Sequence, residues 1–556
     1  MVENKTLADK IYGIYSACNN ITIKYSLPLF IIYALVTISI VVWSLNRGLG
    51  FYDEAWYLMH LKNFAQGSSS EWHSYAKLIF PEDLLSIRYY TFSGLILSGI
   101  VITLGFISYY RQFSILTLLP ITISGLFLFG APVQIVPSYI TFNIFIFNTG
   151  IGFYLFMLSG KTILKKYIWG VLTGFIFGKL FFIFITNSPY IFFLFVLILF
   201  MKQHRKYMKH YWIALTVGIF LSVIFFFVMI KSFSDYMNDF TIAFSRFSAS
   251  ETHNTSMIKR WLFSTISYFS FNVILPSFIL FFIMIANNLS KTNRFLALSF
   301  FTIYFVHPVI INFFFDNLNI NTPTPIYILS VFILLMFIEK GDWQNTIVIV
   351  LLLLIPIFAS FGSDVRFVVR SALYLTPLIL LISIMVKHEP FKKITLIFHG
   401  IFLSALILFS TDYLSTPGWG GYIIKDQKIK LESIGIDVAI KLDKNKIEEI
   451  EELKSLIPSH SSVIINDIKY WGYVYLLDLN VPYYYFRFSE AEWKNYYFSN
   501  RINVPSTLYM IEDTSKPFSD FVMKNPDICM IDTIPLKKIK NTNLYRITYK
   551  QYIHAN

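Results

Sequence analysis

The chain of 556 residues is 55% hydrophobic and only 14% charged, whereas a soluble globular protein carries about 25% charged residues, so an ordinary soluble fold is excluded for most of it. The formal charge of +13 sits in short loops between apolar runs, which reads as membrane orientation and excludes nucleic acid as the partner. Two cysteines, Cys18 and Cys529, fall on opposite sides of the membrane in the topology below, which excludes a disulfide between them, and neither has the neighbours of a metal site.

A bilayer crossing needs roughly 20 apolar residues in a helix, because backbone N–H and C=O groups in lipid must be paired within the segment. Thirteen such stretches follow one another, near 27–45, 91–109, 113–130, 136–159, 167–186, 188–201, 211–231, 262–286, 295–313, 324–338, 345–362, 367–386 and 394–410. The first is long for a signal-peptide core and lacks a small-residue cleavage site, so it is expected to be retained. Alternate loops carry the positive charge: Arg111; Lys161, Lys165 and Lys166; Lys202, Arg205, Lys206 and Lys209; Lys291 and Arg294; Lys340; Lys387, Lys392 and Lys393. The facing loops near 131–135, 187–190 and 314–323 contain neither Lys nor Arg. Positive residues resist translocation, so the N-terminus is expected in the cytoplasm and the C-terminus outside. The Lys-, Ile-, Asn- and Phe-rich composition suggests a bacterial inner membrane, with a periplasmic C-terminus.

Two outer loops are long, at 46–90 and 232–261, and mix aromatic with charged residues, as helices lying in the interface do; Ser234–Phe247 reads as one. After about 410 the chain becomes polar. Lys446–Leu456 reads as an amphipathic helix, Val463–Asn466 as a strand, Ile468–Leu477 as a helix and Val481–Phe486 as a strand. Ala491–Phe498 and Phe518–Met523 read as helices, with strands at Thr507–Ile511, Ile528–Ile534 and Leu544–Tyr549. This alternation predicts a small α/β domain over 411–556, following a transmembrane domain over 1–410.

The stretch richest in chemistry follows the first span: Gly48-Leu49-Gly50-Phe51-Tyr52-Asp53-Glu54-Ala55-Trp56-Tyr57. On a helix Asp53 and Glu54 point about 100° apart, while Asp53 and Tyr57 share a face. Acids at a helix start also favour the helix dipole without further purpose, and composition alone leaves both readings open. Lys179 lies inside the fifth span toward its outer end. A charge within a span costs about 2.5–3.5 kcal/mol on insertion scales and usually faces a cavity or a partner; the bland reading is a side chain reaching back to the interface. Arg366 and Arg370 lie one helical turn apart before the twelfth span, with Asp364 beside them as an alternative local partner. A guanidinium suits phosphate oxygens, and Arg88 before the second span is of the same kind. His73, in Glu71-Trp72-His73-Ser74-Tyr75, is a candidate for the neighbourhood of the acidic pair, and His307 reads as a partner for backbone freed by Pro308.

An acidic first loop with an Asp-Glu pair followed by an aromatic, about a dozen spans and a terminal outer domain together resemble the GT-C superfamily of membrane glycosyltransferases. That superfamily includes the protein O-mannosyltransferases and the bacterial transferases of aminoarabinose to lipid A. The resemblance implies a polytopic α-helical membrane protein with a C-terminal α/β domain. It also implies a polyprenyl-phosphate-linked sugar donor and a lipid, glycan or protein acceptor. Asp53 takes the role of base, with Glu54 second. Lys179, Arg366, Arg370 and Arg88 are expected to bind the donor phosphate, and Tyr57 and His73 to line the substrate. A divalent metal ion is the one cofactor it allows, on Asp53 and Glu54. Relatives place a further acid between the third and fourth spans; here 130–137 has none, and Asp235 or Asp239 would have to supply it. The rival classes are a transporter or flippase of lipid-linked sugars, against which the nearly charge-free midplane argues, and a non-catalytic anchoring protein.

Overall fold

The computed structural model describes residues 7–51, 53–62, 70–79, 83–129, 135, 138–249, 262–263, 265–286, 324–360, 371–388, 391–415, 423–481, 507–515 and 528–549. The stretches 295–313 and 482–506, the helix expected at Phe518–Met523, and the pair Arg366 and Arg370 lie outside the described residues.

The protein is a polytopic helical membrane protein. Among the described residues six helices are long and apolar enough to cross a bilayer: Gly13–Ser44, Leu84–Tyr110, Tyr139–Ser159, Ile163–Ile183, His204–Ile230 and Thr265–Ile285. Shorter apolar helices accompany them, among them Ile115–Leu128, Thr324–Glu339 and Trp343–Ala359. In chain order α1 is Leu7–Ser44, α2 Asp53–Lys62, α3 Trp72–Lys77, α4 Leu84–Tyr110, α5 Ile115–Leu128 and α6 Tyr139–Ser159. Then come α7 (Ile163–Gly178), α8 (Leu180–Ile183), α9 (Pro189–Phe200), α10 (Met208–Phe225) and α11 (Phe233–Ala249). The bundle continues with α12 (Leu275–Ile285), α13 (Thr324–Glu339), α14 (Trp343–Ala359), α15 (Thr376–Met385) and α16 (Thr395–Ser415).

Two helices depart from the hydropathy reading. α1 starts about twenty residues before the apolar run, since no proline interrupts it before Pro28 and its polar residues find partners. Asn19 Nδ2 donates to Lys392 O at 3.1 Å, Asn19 Oδ1 accepts from Leu396 N at 3.0 Å, and Ser26 Oγ meets His399 Nε2 at 2.8 Å. The expected span 167–186 is helical as far as Ile183, with a local irregularity at Lys179 between α7 and α8, and leaves the helix at Phe184 before a short 3-10 turn, Ile185–Asn187.

α7 and α10 pack unusually closely. Gly170, Gly174 and Gly178 recur every four residues on α7 and face Ala214, Gly218 and Ser222 on α10. In lipid, where water expels nothing, such small-residue stripes let backbones approach and supply the dispersion contact that joins helices. A Cβ at Gly174 would lie 2.1 Å from Leu215 O, and one at Gly218 2.1 Å from Val171 O. The obstacle in each case is backbone and cannot turn aside.

The C-terminal part forms a four-stranded sheet in the order β3-β4-β6-β5, with β3 Val463–Ile465, β4 Thr507–Asp513, β5 Ile528–Pro535 and β6 Thr542–Tyr549. β3 runs parallel to β4; the other pairs are antiparallel. A two-stranded ribbon, β1 (Ile429–Lys430) and β2 (Lys441–Leu442), precedes it. Helices α17 (Lys444–Leu456) and α18 (Trp471–Leu476) pack beside the sheet. Their core includes Leu49, Phe51, Ala55 and Leu58 from the segment after α1. The seam is tight: Gly472 N donates to Phe51 O at 3.0 Å, and a Cβ at Gly472 would meet the Phe51 ring at 2.2 Å.

Gly174→Leu is expected to destabilise the purified protein by roughly 1–3 kcal/mol or to prevent its assembly. Gly94→Ala, where nothing lies within 4 Å, should leave thermal unfolding in detergent unchanged or slightly raised. Equal behaviour of the two variants would contradict the close α7–α10 crossing.

Candidate functional site

Asp53 is the first residue of α2, and its side chain lies outside the described residues. Its neighbour Glu54 turns inward and is 5% exposed. Arg88 Nε donates to Glu54 Oε1 at 2.8 Å, with Nη2 2.7 Å from the same oxygen. Arg88 also donates to Leu45 O at 2.7 Å and to Gly48 O at 2.9 Å, while Glu54 Oε2 accepts from Gly50 N at 2.7 Å. One guanidinium and one carboxylate thus fold the whole 45–50 turn. The structure gives both residues a task different from the expected one. Arg88 spends its donors on Glu54 and the turn instead of a phosphate, and both Glu54 oxygens are engaged, so a metal there would have to compete with a guanidinium.

The remaining expected residues cluster at this end of the bundle. Tyr57, one turn along α2, meets the Trp72 ring edge-on at 5.3 Å, and Trp72 opens α3. Two hydrogen bonds fasten the residues just before α3 to α8: Glu71 N donates to Phe182 O at 2.9 Å, and Ser70 Oγ donates to Ile183 O. Tyr75 of α3 then lies under Lys179, whose Nζ is 4.6 Å from the centroid of the Tyr75 ring, 4.7 Å from that of Phe175 and 5.0 Å from that of Phe225. Three aromatic faces attract the ammonium through their quadrupoles, each worth about 0.5–2 kcal/mol. Among the described residues no carboxylate pairs with it. The glycine stripe explains the geometry, because the close α7–α10 crossing brings Phe225 to Lys179. Tyr57 and His73 are enclosed, 7% and 1% exposed, and form walls rather than an open lining.

A second cluster carried almost no sequence signal. Lys231, which follows the π-helical turn Phe226–Ile230 that continues α10, donates to Glu71 Oε1 at 2.8 Å and to Asp239 of α11, and Ser74 Oγ donates to Glu71 Oε2 at 2.7 Å. Burial works to lower the Lys231 ammonium, but the hydrogen bonds it donates to Asp239 and Glu71 more than reverse it, so its pKa lies above the ordinary value. Of the two acids proposed in the second long loop, Asp239 therefore joins Glu71 through Lys231, whereas Asp235 accepts from Ser232 Oγ at the start of its own helix. Burial lowers the His73 imidazole below its ordinary 6.5, against the opposing charge of Glu71.

Two buried amides were also missed. Asn143, between Tyr139 and Phe147 in the chain, and Asn187, between Phe184 and Tyr190, are both buried. Neither amide has a hydrogen-bond partner among the described residues, and such groups normally hold water or a polar ligand atom. Among the described residues no group of three or more His, Cys, Asp or Glu could hold a metal ion.

Comparison with known proteins gives no match: no protein-family model, no curated protein and no solved structure matches this chain.

Glu54→Gln leaves Arg88 buried without its counter-charge and should cost roughly 3–5 kcal/mol, read as a lowered unfolding temperature in detergent; an unchanged temperature would contradict the pairing. Burial holds the His73 imidazole below its ordinary pKa in the folded protein, so it takes up a proton more readily once unfolded. Stability should therefore hold above pH ~6.5 and decline as the pH falls below it. His73→Gln should flatten that part of the pH profile of thermal unfolding.

Proposed function

We propose that the protein is an inverting GT-C-type glycosyltransferase that moves a monosaccharide from a polyprenyl-phosphate donor to a lipid, glycan or protein acceptor. The observation that carries this reading is Lys179: a cation held by three aromatic faces, linked through Tyr75, Trp72 and Tyr57 to the helix that begins with Asp53. Such a cation suits the phosphate that departs with the lipid, and the acid that opens α2 suits the acceptor hydroxyl.

On this reading the chain crosses a bacterial inner membrane thirteen times, with its C-terminal α/β domain in the periplasm. The donor tail lies between apolar helices and its head at the outer interface. Asp53 takes the proton from the acceptor hydroxyl; the hydroxyl oxygen attacks the anomeric carbon as the glycosyl–phosphate bond breaks. The electron pair leaves with the lipid phosphate, whose charge Lys179 stabilises, with Arg366 and Arg370 as its expected companions. Glu54 and Arg88 hold the turn that carries Asp53 and take no part in the proton transfer.

Purified protein incubated with radiolabelled polyprenyl-phosphate sugars tests the proposal. Asp53→Asn should lower transfer by about 10²–10⁴-fold, as loss of a general base does, and Lys179→Gln by about 10²–10³-fold, both at normal expression. Undiminished transfer by Asp53→Asn would remove the assigned base. Uptake of the intact donor across proteoliposomes without sugar release would assign the protein to transport instead.

A further inference from the structure

A cleft of about 600 Å³ opens between the segment that precedes Asp53 and the C-terminal α/β unit. Leu49 and Phe51 line it from one side, and the start of α17, the residues before α18 and the turn 537–540 line it from the other. Its volume lies within the range of small-molecule sites, roughly 300–1,000 Å³, and far exceeds that of a lone ion.

The charge on its walls is not balanced. Lys446 pairs with Glu449 at 2.5 Å, Lys538 with Glu448 at 2.7 Å, and Lys469 with Asp513. Asp443 is occupied as the cap of α17, accepting from Lys446 N at 3.0 Å, and by Gln427. Lys537 and Lys540 line the same cleft and, among the described residues, pair with no carboxylate. Their turn is fixed: Lys537 N and Lys538 N donate to the two oxygens of Glu452 at 2.6 and 2.8 Å. Two lysines on an anchored backbone turn thus border a space that Asn445 also lines. Unanswered cations with a neighbouring amide, over a volume of this size, fit a hydrogen-bonding molecule that carries negative charge.

We propose that this cleft binds an anionic oligosaccharide, bearing phosphate or carboxylate groups, as the acceptor of the transfer reaction. The word acceptor rests on the sugar-transfer reading above; the binding itself does not. Phe51 on the cleft wall stands two residues before Asp53, so a chain bound there lies against the segment that leads into the assigned base.

The test uses the full-length protein in neutral phosphatidylcholine nanodiscs, titrated with a glycerol-phosphate oligomer, an oligogalacturonate and neutral maltotetraose. At least one anionic probe should bind saturably and the neutral one should not, and the preferred anion distinguishes phosphate from carboxylate. Lys537→Gln with Lys540→Gln should weaken that binding about tenfold or more, as should raising salt from about 0.05 to about 0.5 M. Failure of both anions to bind the native protein, or equal binding by the double variant, overturns the inference. So does a double variant altered only in its adhesion to phosphatidylglycerol vesicles, which would assign the lysines to lipid headgroups. Release of sugar from the donor to water is followed on the same samples of native protein. Donor turnover without glycan binding rejects this inference alone; glycan binding without donor turnover rejects the sugar-transfer reading alone.

Discussion

A carboxylate and a guanidinium taken out of water together, Glu54 and Arg88, organise this end of the molecule. Removing two charges from water costs several kcal/mol per ion and is offset only when geometry is good and the remaining donors and acceptors are satisfied. Here they are satisfied by the backbone of the 45–50 turn: Leu45 O, Gly48 O and Gly50 N all bond to the pair. The same turn carries Leu49 and Phe51 into the core of the C-terminal unit. A single buried pair therefore joins the end of α1, the start of α2 and α4, and the seat of the C-terminal sheet.

A second constraint comes from lipid. Without a hydrophobic force between helices, the α7–α10 contact depends on backbone approach, which glycines allow. That approach delivers Phe225 to Lys179, and the π-helical turn Phe226–Ile230 that continues α10 carries Lys231 to Glu71 and Asp239. The cation cage and the second ion cluster are thus consequences of one helix crossing, and α3 lies between them with Tyr75 on the first and Glu71 on the second.

What the sequence made legible follows from where its signals are local. The apolar runs announced their helices because a bilayer imposes length and composition together, and Lys179 drew notice because charge inside a span is costly. The start of α1 was not legible: hydropathy marks burial in lipid, whereas residues 7–26 are helical by continuity and by pairing with residues near 392–399. The Asp53-Glu54 pair was visible as a motif, but the division of labour within it was not, since the partner of Glu54 lies 34 positions away in Arg88. The Glu71–Lys231 contact spans 160 positions and leaves no trace in spacing. Pairings of that range are decided by packing.

Hydrogen exchange at the amides of Gly48, Gly50 and Gly472 tests the central claim most directly, because Gly48 N donates to Lys441 O at 2.8 Å, Gly50 N to Glu54 Oε2 and Gly472 N to Phe51 O. In the native protein all three should exchange slowly, and in Arg88→Met they should accelerate together while amides in the middle of α4 stay protected. Fast exchange at Gly50 and Gly472 in the native protein, or slow exchange that persists without Arg88, would contradict the idea that this buried pair holds the junction.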